Sequence, residues 1–262
     1  MDRTTLIQNL MGKINDSAYD RIAATFPVFE GCPTCDGKQS YVLNGEAFKC
    51  DCEVQRLLQR AYFAANIPRE YHDICLEHFF GVDKDEVIPQ VQEYLDRFDD
   101  NYHYGMGLTF AGPYGTGKSF LMASILKDTV KKGRTAYFIT FDEFVQHFGA
   151  TWNDEKSKKL LQDTLKRVEV LGLDELKTDE RNTNGFLSDA LQAIIRHRTS
   201  NLLPTIITTN LTPDKQEQHF AKAYSLLNGK NTFIVMAGKD VRPRVKAISE
   251  ELISANERRP IC

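Results

Sequence analysis

The chain has 262 residues, a hydrophobic content of 42% and a formal net charge of -3. That length buries one α/β core and leaves roughly 60 to 80 residues for a smaller appendage, while so small a net charge excludes nucleic-acid binding by bulk electrostatics and leaves only local basic clusters for it. No stretch approaches about eighteen apolar residues, and no basic start precedes an apolar run with a small-residue cleavage site, so the expectation is a cytoplasmic protein without a membrane partner.

Residues 5–26 carry Leu6, Ile7, Leu10, Ile14, Ala18 and Ile22 at near-helical spacing, which predicts an amphipathic helix whose apolar face needs a partner. Cys32, Cys35, Cys50 and Cys52 follow as a C-x2-C knuckle and a C-x-C knuckle. Concentrating four of six cysteines in one short segment points to metal rather than to a disulfide framework. Four thiolates suit a tetrahedral structural zinc (Zn2+) with no position left open for catalysis; buried free thiols or a redox pair are the alternatives. Cys75 and Cys262 are expected to be ordinary thiols. Residues 54–65 read as a helix closed by Pro68, a linker signal that divides the chain into a helical and zinc-binding module, 1–65, and a core, 66–262. The acidic stretch 83–100 predicts a solvated helix and loop.

From Gly107 onward, "GLTFAG", "TAYFIT", "VEVLGLDE", "PTIITTN" and "TFIVMAG" alternate with helical stretches. Short β-branched and aromatic runs separated by helices predict a five-stranded parallel sheet with crossover helices on both faces. The run Lys127, Lys131, Lys132 and Arg134 suits either a strand-binding groove or, more simply, a solvated helix face.

Between the first of these strands and the following helix stand Gly112, Pro113, Tyr114, Gly115, Thr116, Gly117, Lys118 and Ser119, then Phe120, which fit G-x-x-x-x-G-K-[ST] in the context the motif requires. Glycines let backbone N–H groups turn toward phosphate oxygens, Lys118 reaches the β/γ-phosphates of ATP, and Ser119 ligates magnesium (Mg2+). "VEVLGLDE" ends in Asp174 and Glu175, at the strand end where ligands collect in open α/β sheets. Asp174 is expected to hold magnesium with Ser119, and Glu175 to polarise an attacking water, so hydrolysis is the expected chemistry. Asn210, closing "PTIITTN", is a candidate for orienting that water or contacting the γ-phosphate, although such an amide also commonly makes a turn.

The motifs "GPYGTGKS", "LDE" and "PTIITTN" in this order, with "ANIPREY" upstream and "GKDVRPR" near the end, resemble those of AAA+ ATPases of the DnaC/DnaI replicative helicase-loader and IstB group, over roughly residues 65–244. The resemblance implies an AAA+ core lacking a full C-terminal lid, ATP hydrolysis in a homo-oligomer, and a zinc module that docks on a replicative hexameric helicase to place it on single-stranded DNA in a bacterial cell. In the IstB branch the partner is a transposase. It further implies that Asn210 is the sensor residue and that Arg242 lies near the nucleotide. Lys38, Lys49 and Arg56 offer the cysteine segment a DNA-contacting alternative on charge grounds. One departure matters: Leu226 in "AYSLLNGK" stands where the group carries an arginine directed into the neighbouring subunit's ATP site. Such an arginine contributes about 10³ to 10⁵ in rate, or roughly 4 to 7 kcal/mol. Slow intrinsic hydrolysis is therefore expected unless Lys222, Lys230 or Arg242 substitutes, and an ATP-binding adaptor or helicase inhibitor is the second reading.

Overall fold

A computed structural model of the chain describes residues 5–6, 32, 34–36, 38, 40–81, 83–148, 155–178, 186–255, 257, 259 and 261. The helix predicted over 5–26 lies outside these except for Thr5 and Leu6, which are helical, with Leu6 packed against the core. A hairpin of β1 (Ser40–Leu43) and β2 (Glu46–Lys49) stands beside the cysteines. Its turn is Asn44-Gly45, both at positive φ, the two-residue connection whose twist matches antiparallel strands. The sequence reading passed over this pair, although "VLNGEAF" carries the Asn-Gly signal.

Helix α1 (Cys52–Ala64) leads through two 3₁₀ turns, Arg69–Tyr71 and Leu76–His78, into α2 (Lys84–Asp96) and α3 (Phe98–His103). The acidic stretch is thus not simply solvated: Val87, Val91, Tyr94, Leu95 and Phe98 form a buried face, because their helical spacing collects them on one side while the carboxylates take the other.

The remaining elements are β3 (Gly107–Ala111), α4 (Lys118–Lys131), β4 (Ala136–Thr140), α5 (Phe141–Phe148), α6 (Glu155–Arg167), β5 (Val170–Leu176), α7 (Phe186–Ser200), β6 (Thr205–Thr209), α8 (Pro213–Asn228), β7 (Asn231–Val235) and α9 (Arg242–Ser254). The five expected strands form one parallel sheet in the order β4-β5-β6-β3-β7. Successive strand residues feed opposite faces. Phe110, Phe138, Val170, Ile206 and Ile234 join α1, α2 and α4 in one apolar cluster, while Ile139, Leu171, Leu173 and Ile207 join α5, α7 and α8 in another. Helix α4 approaches β5 so closely that a Cβ on Gly172 would stand 2.7 Å from Leu126 Cδ1, so a side chain there would require Leu126 and Met122 to shift.

The edge of β4 is covered from within the chain: Phe138 N donates to Ala65 O at 2.8 Å, and Asn66 Nδ2 donates to Phe138 O at 2.9 Å. Lys127 of the basic run is similarly committed inward, which corrects the reading of the whole run as a solvated helix face. Lys127, 2% exposed, donates to Tyr71 O at 2.6 Å and also to Ile74 O. Lys132 donates to Leu95 O at 2.8 Å, and Arg134 lies over the Tyr102 ring and pairs with Glu169 at 3.1 Å. Carbonyls left without partners by the short turns and helix ends draw these cations inside, where they satisfy buried acceptors. Arg198, fully buried, does the same for Leu165 O, Val168 O, Glu169 O and Pro204 O. At the far end of the chain, Ile261 exchanges two hydrogen bonds with the Gln55 side chain, returning the C-terminal segment to α1. Cys75 is disulfide-bonded, which corrects the expectation of an ordinary thiol there.

His72, 2% exposed, contacts Ile67 O at 2.9 Å through Nε2 and lies edge-on to Phe63. Burial pushes it down to about 4. Since the folded state holds a neutral ring and the unfolded chain takes a proton near pH 6.5, this contribution to stability is complete above that pH and is lost as pH falls toward 4, by about 3 kcal/mol in all. Urea unfolding of a His72→Gln variant is expected to show an acid limb shallower than wild type by about 2 kcal/mol between pH 7 and 4.5; parallel limbs would contradict this.

Candidate nucleotide site and thiol cluster

The loop after β3 turns through Gly115 and Gly117 at positive φ before α4 begins. Gly117 is the N-cap of α4 in the left-handed region, and a Cβ there would meet Phe79 Cε2 at 2.7 Å, so glycine is required both by conformation and by space. Thr116 Oγ1 donates to Pro113 O at 3.1 Å and stabilises the turn from behind. From outside, Val241 N donates to Gly115 O at 2.9 Å, and Asp83 Oδ2 accepts from Ala237 N and Gly238 N at 2.8 Å each, so the segment after β7 braces the loop. Neither brace is visible in the motif itself.

Lys118, 7% exposed, folds back on the loop, donating to Gly112 O at 2.9 Å and Pro113 O at 2.5 Å. Burial lowers it to about 8, against the opposing influence of Asp174 and Glu175. Both acceptors are loop carbonyls, so the ammonium is free to exchange them for stronger anionic acceptors.

Asp174 and Glu175 occupy a bulge between β5 and β6: Leu173 pairs with Ile207 and Leu176 with Thr209, leaving two residues opposite Thr208 alone. Glu175 sits at φ 56°, and its N–H donates to Thr208 Oγ1 at 2.8 Å, while Thr208 Oγ1 donates to Asp174 Oδ1 at 2.5 Å. Burial raises the Asp174 carboxyl above its usual range, and the Thr208 and Ser119 hydroxyls act in the other direction. Thus Ser119 and Asp174 meet across the cleft. Asn210 Oδ1 is buried with no hydrogen-bond partner among the described residues, an acceptor aimed at an absent donor.

A cavity of about 580 Å³ gathers these groups: Tyr114, Gly115, Gly117, Lys118, Ser119 and Phe120 on one side, Glu175, Thr208 and Asn210 on another. Tyr71, Phe79, Arg242 and Lys246 complete it, so the sequence reading missed an aromatic wall supplied by residues 71–80. "ANIPREY" carried its only trace. The donor set fits magnesium, with a hydroxyl and a buried carboxylate as hard oxygen ligands, and the orphaned amide and the loop N–H groups fit a phosphate with its lytic water.

Arg242 reaches the cavity from the first turn of α9, 3.8 Å from Asp240. Of the other cations considered as substitutes for the arginine, Lys230 donates to Tyr104 O at 2.9 Å, and Lys222 is exposed on α8. Leu226 is half-buried against the second apolar cluster, a packing position.

Among the described residues the four N-terminal thiols form one compact group, all sulfurs within 4.8 Å, with Cys32 to Cys50 at 3.6 Å and Cys35 to Cys52 at 3.4 Å. Tetrahedral Zn–S bonds of about 2.3 Å put sulfurs about 3.8 Å apart, so the set fits zinc. Backbone N–H groups of Thr34 and Cys35 bring Cys32 down to about 7, whereas burial and the neighbouring sulfurs push Cys52 up. A cation at the centre would reverse the latter. The hairpin beyond it is exposed at Val42 and Leu43 and has little core of its own. Lys49, one of the candidate DNA contacts, lies 3.4 Å from Glu53.

Residues 100–227 match the model of the family described as IstB-like ATP binding protein. The replicative helicase loader DnaI of Bacillus subtilis (strain 168) is 25% identical over 190 residues, covering 68% of this chain and 60% of its own length. The replicative helicase loader DnaC of Escherichia coli (strain K12) is 25% identical over 157 residues, covering 58% of this chain and 62% of its own. The chain therefore spans about three fifths of the length of these curated relatives. The crystal structure of the DnaC helicase loader superposes with a TM-score of 0.56 at 25% identity, over 64% of this chain and 99% of that one. AMPPCP-bound DnaA from Aquifex aeolicus shares the fold at a TM-score of 0.52 and 20% identity, over 73% of this chain and 57% of its own. Among the described residues no helix is long and apolar enough to cross a membrane.

Metal analysis of the purified chain is expected to find one zinc per chain, and Cys50→Ser to leave less than about a tenth of it. Stripping the metal should accelerate amide exchange in β1 and β2 by on the order of 10²-fold. Unchanged exchange after complete removal would show that the hairpin does not depend on the metal.

Proposed function

We propose that this chain is an ATP-dependent loader of a replicative helicase, a reading supported by the match of residues 100–227 to the IstB-like ATP binding protein family and by the similarity to the loaders DnaI and DnaC. The observation that carries the catalytic half of this reading is the convergence of Lys118, Ser119, Glu175 and Asn210 on one cavity, with Asp174 directly behind.

In this reading the N–H groups of residues 112–119 and the N-terminus of α4 bind the triphosphate. Lys118 leaves the Gly112 and Pro113 carbonyls for the β/γ-phosphates. Ser119 and Asp174 would hold magnesium, which when bound would supply charge neutralisation at the phosphoryl oxygens. Glu175 accepts a proton from the attacking water, and Asn210 satisfies its orphaned oxygen by orienting that water. Tyr71, Phe79 and the Val245 face of α9 exclude bulk water from the far end of the cavity. Arg242 is a cation of the same chain within reach of the phosphates.

Residues 1–65 are the proposed helicase-binding module, with zinc fixing its shape, and the core assembles with further copies and contacts single-stranded DNA. ATP state sets the geometry and release of the assembly. The setting is the bacterial cytoplasm. The transposase helper of the IstB branch differs only in its partner, while Leu226 favours a second reading, an adaptor that binds ATP and turns it over little.

Steady-state turnover with and without single-stranded DNA and helicase separates these. The loader reading predicts stimulation by the partners and a fall in kcat of about 10² to 10⁴ for Glu175→Gln, with ATP affinity changed by less than about threefold. Turnover indifferent to both partners, together with normal loading by that variant, would overturn the enzyme reading; capture of a transposase from the native host would redirect the partner.

A further inference from the structure

We propose that Thr208 is a positioning residue for hydrolysis, its one hydroxyl pinning the bulge of β5 so that Asp174 and Glu175 are both held toward the phosphate loop. This rests on the ATPase reading of the same cavity and assigns a role to a side chain of "PTIITTN" other than its closing amide.

The geometry is specific. A threonine hydroxyl has one hydrogen and two lone pairs. The Glu175 N–H can only donate, so the Thr208 oxygen accepts there, at 2.8 Å, and its hydrogen goes to Asp174 Oδ1 at 2.5 Å. One oxygen of Asp174 is thereby fixed, leaving the other for Ser119 and a cation. The second bond fixes the backbone of Glu175, which is held at φ 56°, a region sterically disfavoured for a side chain that is not glycine. Without a partner for its N–H, Glu175 would relax toward ordinary strand geometry, and a regular strand alternates its side chains to opposite faces. Asp174 and Glu175 share a side of the sheet only while the bulge persists.

Thr208 suits this task. It is fully buried, its χ1 is restricted by β-branching, and it lies on the strand that leads into Asn210. Thr209 makes a parallel but different connection, donating to Leu176 O at 2.6 Å and accepting from Leu211 N at 3.0 Å, so it closes the bulge downstream without touching either carboxylate. The two threonines thus divide the work: one anchors backbone, the other orients the acidic pair.

The test uses the full chain with Thr208→Val, Thr208→Ala and Thr208→Ser. Readouts are turnover, affinity for the non-hydrolysable analogue AMPPCP with magnesium and in EDTA, and thermal stability. Positioning predicts that Val and Ala lower kcat by about 10²-fold with KM changed by less than about threefold, because a displaced acidic pair impairs chemistry more than binding. The increase in AMPPCP affinity conferred by magnesium should fall about tenfold in both, affinity in EDTA should change less than twofold, and Ser should restore both quantities to within about threefold. Should Val fail to fold, the comparison of Ala with Ser decides. Should wild type show no turnover, the ATPase reading fails, and the magnesium arm alone judges the positioning of Asp174. The proposal is overturned if Val and Ala keep wild-type kcat and magnesium dependence, if Ser falls as far as Ala, or if affinity drops equally in EDTA, as general loosening would cause.

Discussion

The insertion of β6 between β3 and β5 is the constraint from which the site follows. In a parallel sheet every strand releases its chain at the same edge, so three adjacent strands deliver three functions to one place. β3 delivers the phosphate loop and Lys118, β5 delivers the acidic pair, and β6 delivers Thr208 and Asn210 between them. No loop has to travel far, and the reacting groups rest on hydrogen-bonded backbone. Among the described residues the bulge at Asp174 and Glu175 is the one register shift in this sheet, and it falls where the proposed hydrolysis calls for two carboxylates from one strand.

Around this edge the chain builds supports that contribute no chemistry. Lys127 ties α4 to the backbone at Tyr71 and Ile74, so the aromatic wall of the cavity is anchored to the helix that begins at Lys118. Asp83 does the same for the segment after β7, which in turn holds Gly115. The N-terminal helix α1 joins the same apolar cluster through Leu58, Ala61 and Tyr62.

The fold was legible from the residues because both of its signals are local: strands as short β-branched runs, and the loop as glycines at fixed spacing ahead of a helix. The candidate phosphate loop and the two carboxylates beside it were legible for the same reason. What the sequence concealed depends on pairing across distance. A bulge leaves no mark in "VLGLDE"; it arises from the register of β5 against residues 33 and 34 positions away. Lys127 looks in one dimension like its neighbours Lys131 and Lys132, yet it falls on the enclosed side of α4 and is buried while they are not. Arg198 is concealed likewise, since a cation bonded to four carbonyls and the Thr205 hydroxyl has no charged partner to betray it. Leu226 reads as a loss when compared with a motif and as core packing when seen in place.

Calorimetric titration of the folded, full-length chain with magnesium-ATP tests the central claim most directly. One nucleotide should bind per chain with an affinity in the micromolar range, about -8 kcal/mol, and Lys118→Ala should remove at least about 2 kcal/mol of that through loss of its charge-assisted bonds. The absence of any binding heat at several temperatures and at millimolar nucleotide, in a chain that unfolds cooperatively, would contradict the account from the phosphate loop outward.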